Sequence, residues 1–74
     1  MWQEANNKLT KKFKFKDFAE ALKFVNKVGL LAEAAQHHPD ISFGWGYAEI
    51  TLTTHKEGKV TDKDRHLAEK IDKI

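Results

Sequence analysis

The sequence contains no cysteine, which excludes disulfides, thiol chemistry and any cysteine-ligated zinc site. One proline and four glycines are too few for a linker-like or low-complexity chain. No apolar run approaches the roughly 20 residues of a membrane span, and no signal-peptide pattern is present. Gly-rich phosphate loops, Walker motifs, HExxH, GxSxG and EF-hand loops are also missing. Charge of one sign is scarce: the net charge of +2 is too small to point to nucleic acid. These absences leave a cytoplasmic, soluble chain as the expectation, with neither membrane nor nucleic acid as partner.

The 74 residues, 41% hydrophobic and 32% charged, suit one globular domain over residues 1–74. A chain this short buries only about 60% of its unfolded surface, so its core is marginal. With disulfides excluded, association with copies of itself is the expected remedy. The charge is unevenly spread. Residues 8–27 hold seven lysines against Asp17 and Glu20, a balance of +5. Residues 28–57 hold Lys56 against Glu33, Asp40, Glu49 and Glu57, a balance of −3, and three of the four histidines lie there. A carboxylate in contact with an imidazole favours its charged form.

Trp2 to Ala5, the Asn6-Asn7 turn signal and Lys8 to Lys16 read as a β-hairpin. Lys12, Lys14 and Lys16 alternate with Phe13 and Phe15, the pattern of a strand with one wet face. Those lysines suit a solvated face that protects a strand edge more than a phosphate site. Asp17 is the expected N-cap of a long helix ending near Gln36, and Pro39 stops it within His37-His38. Phe18, Ala21, Leu22, Val25, Val28, Gly29, Ala32 and Ala35 form its apolar stripe, leaving Phe24, Leu30, Leu31 and Ala34 outside. Ile41 to Trp45 and Tyr47 to Thr54 read as a second hairpin around Gly44-Trp45-Gly46. Thr61 and Asp64 form a capping-box variant opening a last helix. The order β-β-α-β-β-α, antiparallel strands punctuated by single helices, predicts an α+β two-layer sandwich.

The chemistry-bearing residues cluster in Glu33-Ala-Ala-Gln-His37-His38-Pro39 and in His55. Glu33 and His37 are an i,i+4 pair, which predicts a carboxylate beside that imidazole. If the chain reverses near Gly46, positions 37–38 lie opposite 54–55, so His37, His38 and His55 converge at one end of the sheet. Asp64, in the first turn of the last helix, can close the group. A three-histidine zinc site with Glu33 behind it is the competing reading. Adjacent histidines point in different directions and seldom chelate one ion, so no metal is expected. His66, outside the apolar stripe of its helix, reads as an ordinary surface residue.

Glu33-x3-His37-His38-Pro39, an aromatic at Trp45, Thr54-His55, and Asp64 after a glycine-containing loop resemble the pterin-4a-carbinolamine dehydratase family. Phe13-Lys-Phe-Lys-Asp-Phe18 with Ala21 and Phe24-Val25 matches that family's strand-to-helix junction. The sequence departs from the family where relatives often place Asp or Asn, at Gln36, and the resemblance begins at Trp2. It implies a dehydratase, a hydro-lyase that converts 4a-hydroxytetrahydrobiopterin to quinonoid dihydropterin and water without metal or other cofactor. It also implies an α+β fold with a four-stranded antiparallel sheet and its helices on one face, and a homodimer or homotetramer. On this reading His37 and His55 carry the acid/base work, and Glu33 holds charge on His37. Asp64 orients His55, while His38, Trp45 and Trp2 contact the pterin. The alternative is a non-enzymatic dimerisation or assembly cofactor that binds a helical partner protein. Both readings expect self-association, so light scattering at micromolar concentration should give at least a dimer, and a stable monomer would count against the surplus apolar helix surface as an interface.

Overall fold

The computed structural model describes residues 1–74 and has the element order β-β-α-β-β-α. Strands β1 (Gln3–Ala5) and β2 (Lys8–Lys14) form the first hairpin, with Ala5 opposite Lys8. Its loop, Asn6-Asn7, has φ values of 53° and 63°. Two positive φ angles match the turn to the twist of the strands, and asparagine tolerates them better than most residues. Strands β3 (Asp40–Gly44) and β4 (Tyr47–Leu52) pair around Trp45-Gly46, where Gly46 takes φ 80°. The sheet is antiparallel throughout, in the order β1-β2-β4-β3.

Register decides which face is buried. Leu9, Lys11 and Phe13 lie opposite Leu52, Ile50 and Ala48, with Ile41 and Phe43 alongside on β3. That face supplies the core beneath α1 (Phe18–Ala35) and α2 (Asp62–Asp72), while Lys12, Lys14 and Glu49 point to solvent from the other. The α2 helix is tied down on the β1 side. Asp72 accepts hydrogen bonds from Trp2 Nε1 at 3.0 Å and Lys11 Nζ at 2.8 Å, and Arg65 pairs with Glu4 at 3.0 Å. No helix is long and apolar enough to cross a membrane.

The buried stripe of α1 differs from the expected one. Ala21, Phe24, Val28 and Ala32 are buried and Leu31 packs against them, whereas Phe18 and Leu22 are exposed. The cause is aromatic: Phe24 lies between Phe13 and Phe15, with ring centroids 4.6 and 5.1 Å away. Such contacts add to area burial and rotate the helix toward β2.

Both ends of α1 are capped. The Asp17 side chain accepts the Glu20 N–H at 2.9 Å. At the other end the helix stops at Ala35, short of the expected histidine pair, because Gln36 turns left-handed at φ 51°, ψ 41°. The Gln36 N–H then bonds to the Glu33 carbonyl and the His37 N–H to the Ala32 carbonyl, the two bonds of a Schellman motif. The site usually prefers glycine, and a side chain there costs about 1–2 kcal/mol. Gln36→Gly is therefore expected to raise stability by up to about 1 kcal/mol, or Tm by about 4–8 °C. A lower Tm in thermal unfolding would show that the Gln36 Nε2 bond to the Glu33 carbonyl outweighs the relief of strain.

Candidate active site

Past the left-handed residue the backbone no longer follows the helix, and His37 and His38 point to different partners. His37 Nε2 donates to Oδ1 of Asp64, on the first turn of α2. His38 Nε2 bonds to Oε2 of Glu33, back on α1, in an exposed pair. The expected assignments are thus corrected on two counts: Glu33 partners His38 rather than His37, and Asp64 partners His37 rather than His55. The physical reason is the turn at Gln36. An i,i+4 pair requires helical phase through position 37, and the left-handed residue breaks that phase.

Asp64 is the buried centre of this region, with a side chain that has no solvent exposure. Its Oδ2 accepts the Thr54 hydroxyl at 2.8 Å and the Thr61 N–H at 2.9 Å. Because the single Thr54 proton is spent on Asp64, the 2.7 Å contact between the two threonine hydroxyls has Thr61 as donor. Burial alone pushes the Asp64 pKa up. The hydrogen bonds from His37, from the Thr61 backbone and from Thr54 outweigh it and hold the carboxyl below its usual range. The group is an anion with every donor it needs.

His55 follows Thr54 directly and opens the turn closed by the Gly58 N–H on the carbonyls of Thr54 and His55. Since Asp64 bonds both His37 and Thr54, His37 and His55 lie toward the same end of the sheet, as the hairpin arithmetic predicts. The His55 side chain is exposed and makes no hydrogen bond within the chain. None of the five main cavities of this single chain is lined by His37, His38 and His55 together. No group of three or more histidine and carboxylate side chains is arranged to hold a metal ion.

The tryptophans lie elsewhere. Trp45, exposed at the tip of the β3-β4 hairpin, is separated from the His37 end by the five residues of β3, roughly 16 Å of strand. Trp2 bonds to Asp72, eight positions along α2 from Asp64 and so roughly 12 Å away. Neither joins the histidines within one chain. Side chains not assigned to the site from the sequence do stand beside His37. A cavity of about 240 Å3 is lined by His37, Gln36 and Ala35 together with Lys63, His66, Leu67 and Lys70 of α2. The only sequence signal for the last four is their three- and four-residue spacing.

The whole of residues 1–74 matches the family model for pterin 4 alpha carbinolamine dehydratase. A relative from Rubrobacter xylanophilus is 54% identical over 66 residues, covering 89% of this chain and 62% of its own. Another, from Sulfolobus acidocaldarius, is 48% identical over 73 residues, covering 99% of this chain and 80% of its own. The names of both assign them provisionally as pterin-4-alpha-carbinolamine dehydratases. The chain thus spans less than two thirds of the Rubrobacter relative and most of the Sulfolobus one. Among solved structures, a transcriptional coactivator/pterin dehydratase from Brucella melitensis superposes with TM-score 0.91 at 37% identity, over 96% of this chain and 78% of that one. A pterin dehydratase-like protein identified as a RuBisCO assembly factor in the alpha-carboxysome gives TM-score 0.78 at 29% identity, over 97% and 83%. With fold, motif and full-length match in agreement, the chain belongs to the pterin-4-alpha-carbinolamine dehydratase family.

Proposed function

We propose that this chain dehydrates a 4a-hydroxytetrahydropterin to the quinonoid dihydropterin, with His37 and His55 sharing the proton transfers. In the reaction the carbon–oxygen bond at the ring junction breaks and the hydroxyl leaves as water after taking a proton. A ring nitrogen loses a proton, and a carbon–nitrogen double bond forms. One group must donate and one accept, and no other reactant is consumed. Histidine suits both tasks near neutral pH.

The observation that carries the reading is the hydrogen bond from the half-buried His37 to the fully buried Asp64 carboxylate. With Nε2 bound to the carboxylate, the ring is fixed in orientation and tautomer and its Nδ1 is left for substrate. The nearby anion compensates the charge that the ring acquires on taking the ring-nitrogen proton, the logic of a carboxylate-backed base. His55, with no partner in the chain, supplies the proton to the departing hydroxyl. His38, held by Glu33, borders the ring, and Trp2 and Trp45 take no part in these steps.

A second reading, a non-enzymatic assembly or dimerisation cofactor that binds a helical partner, draws on Leu30, which is 73% exposed on α1. The two readings separate in a dehydration assay with purified protein. His55→Ala and His37→Ala are each expected to lower turnover, within the roughly 10²–10⁴-fold that general acid–base catalysis contributes. The double variant should approach the uncatalysed rate. Because residues acting as a unit give non-additive losses, the double variant decides. Near-normal dehydration by it would end the mechanism and favour the binding role.

Asp64→Asn tests the backing carboxylate. Its lowered pKa means that the unfolded chain binds more protons than the folded one as pH falls below about 4, the ordinary aspartate value. The Asp64 contribution to stability is therefore present above that pH and is lost below it, as the folded carboxyl protonates. Thermal unfolding of the Asn variant should show a loss of about 1–3 kcal/mol at neutral pH and a flatter acid limb than the parent. Parallel acid limbs in the two proteins would contradict the assignment of a buried anion.

A further inference from the structure

The cavity beside His37 has a chemical character that the dehydration itself does not require. Lys63, His66 and Lys70 stand at three- and four-residue steps on α2, so they share one stripe of that helix. No carboxylate lines the cavity. The ion pairs of the chain are Lys11–Asp72, Lys16–Glu20, His37–Asp64, His38–Glu33 and Arg65–Glu4, so neither Lys63 nor Lys70 is neutralised by a partner.

The acidic residues of α2 are turned elsewhere. Glu69 and Asp72 line a separate hollow with Arg65 and Glu4 on the β1 side. Asp62 lines the hollow beside Thr54 with Lys56 and Glu57, a hollow that Lys63 also reaches, and Asp64 is spent on His37 and the two threonines. The helix thus sorts its charge by face, and the cationic face meets the proposed catalytic histidine.

Size limits what this cavity takes. At about 240 Å3 it falls below the roughly 300 Å3 at which pockets for drug-sized ligands begin. It suits a substituent better than a whole bicyclic ring with its side chain. We propose that it receives an anionic substituent of the pterin, so that the preferred substrate of this chain carries a carboxylate or a phosphate on its side chain. Leu67 and Ala35 pack the short linker, and Lys63 and Lys70 meet the charge. The inference rests on the dehydratase reading in placing the pterin ring against His37.

Three stable pterins test it by calorimetric titration: hydroxymethylpterin, its phosphate ester and the corresponding pterin carboxylate. With the parent protein at low salt, one or both anions should bind about tenfold more tightly than the neutral alcohol, the scale of two partly exposed ion pairs. Which anion gains identifies the substituent. In the Lys63→Gln/Lys70→Gln variant, and in the parent at high salt, the advantage should shrink to near parity. Equal affinity for all three, an advantage that survives in the double-lysine variant, or no binding of any pterin would overturn the proposal. Dehydration of the neutral carbinolamine is assayed in parallel. No turnover alongside an intact lysine-dependent preference for the anions would defeat the dehydratase mechanism and leave the anion site standing.

Discussion

The carboxylate of Asp64 receives hydrogen bonds from three parts of the chain: His37 beyond α1, Thr54 beyond β4 and the backbone of Thr61 at the start of α2. A buried anion is tolerated only where donors replace the water it loses. Here the requirement is met in full, and no buried polar side-chain atom of the protein lacks a partner. The same residue therefore has three duties. It caps a helix, joins that helix to the end of the sheet and holds the imidazole proposed as the base. Stability and chemistry are not separable at this position, because the donors that keep the carboxylate ionised are the groups that position the site.

Much of this was legible in the sequence. The lysine–phenylalanine alternation of β2, the turn residues at Asn6-Asn7 and Gly46, and the caps at Asp17 and Thr61-Asp64 all report local backbone requirements. Local requirements leave local traces. The hairpin arithmetic likewise brought position 37 opposite position 54, where the Asp64 network now joins them. Two features left no trace. Glutamine is a poor signal for a left-handed residue, so the break in phase at Gln36, and with it the choice of carboxylate for each histidine, was hidden. The stripe of α1 was misphased because Phe24 answers to Phe13 and Phe15, which belong to another element. Lys63, His66 and Lys70 were unremarkable until α2 was set against the segment that follows α1.

The Asp64–His37 pair and the most exposed apolar surface of α1 lie at different places in the fold. The Asp64 network lies where β4 ends and α2 begins. The most exposed leucine, Leu30, sits on α1 in a trough with Leu31, Ile74, Lys27, Lys70 and Lys73. A protein contact made there would reach Lys70 but not the Asp64–His37 pair itself. The solved relatives include one described as both coactivator and dehydratase and one identified as an assembly factor. In this chain Lys70 lines both the trough and the cavity beside His37, so an occupant of one surface meets a residue of the other.

The left-handed residue at position 36 also determines how two identical side chains acquire different identities. Pro39 holds the residue before it extended, and an extended backbone sends successive side chains to opposite sides. After Gln36, that alternation turns one imidazole inward to a buried carboxylate and the next outward to a solvated one. Nothing in the chemistry of the two rings distinguishes them. Their difference is one of parity, counted from the residue where the helix ends. The junction between Gln36 and His37 is consequently less tolerant of a change in length than of many changes in composition: inserting a single residue there would exchange inside for outside.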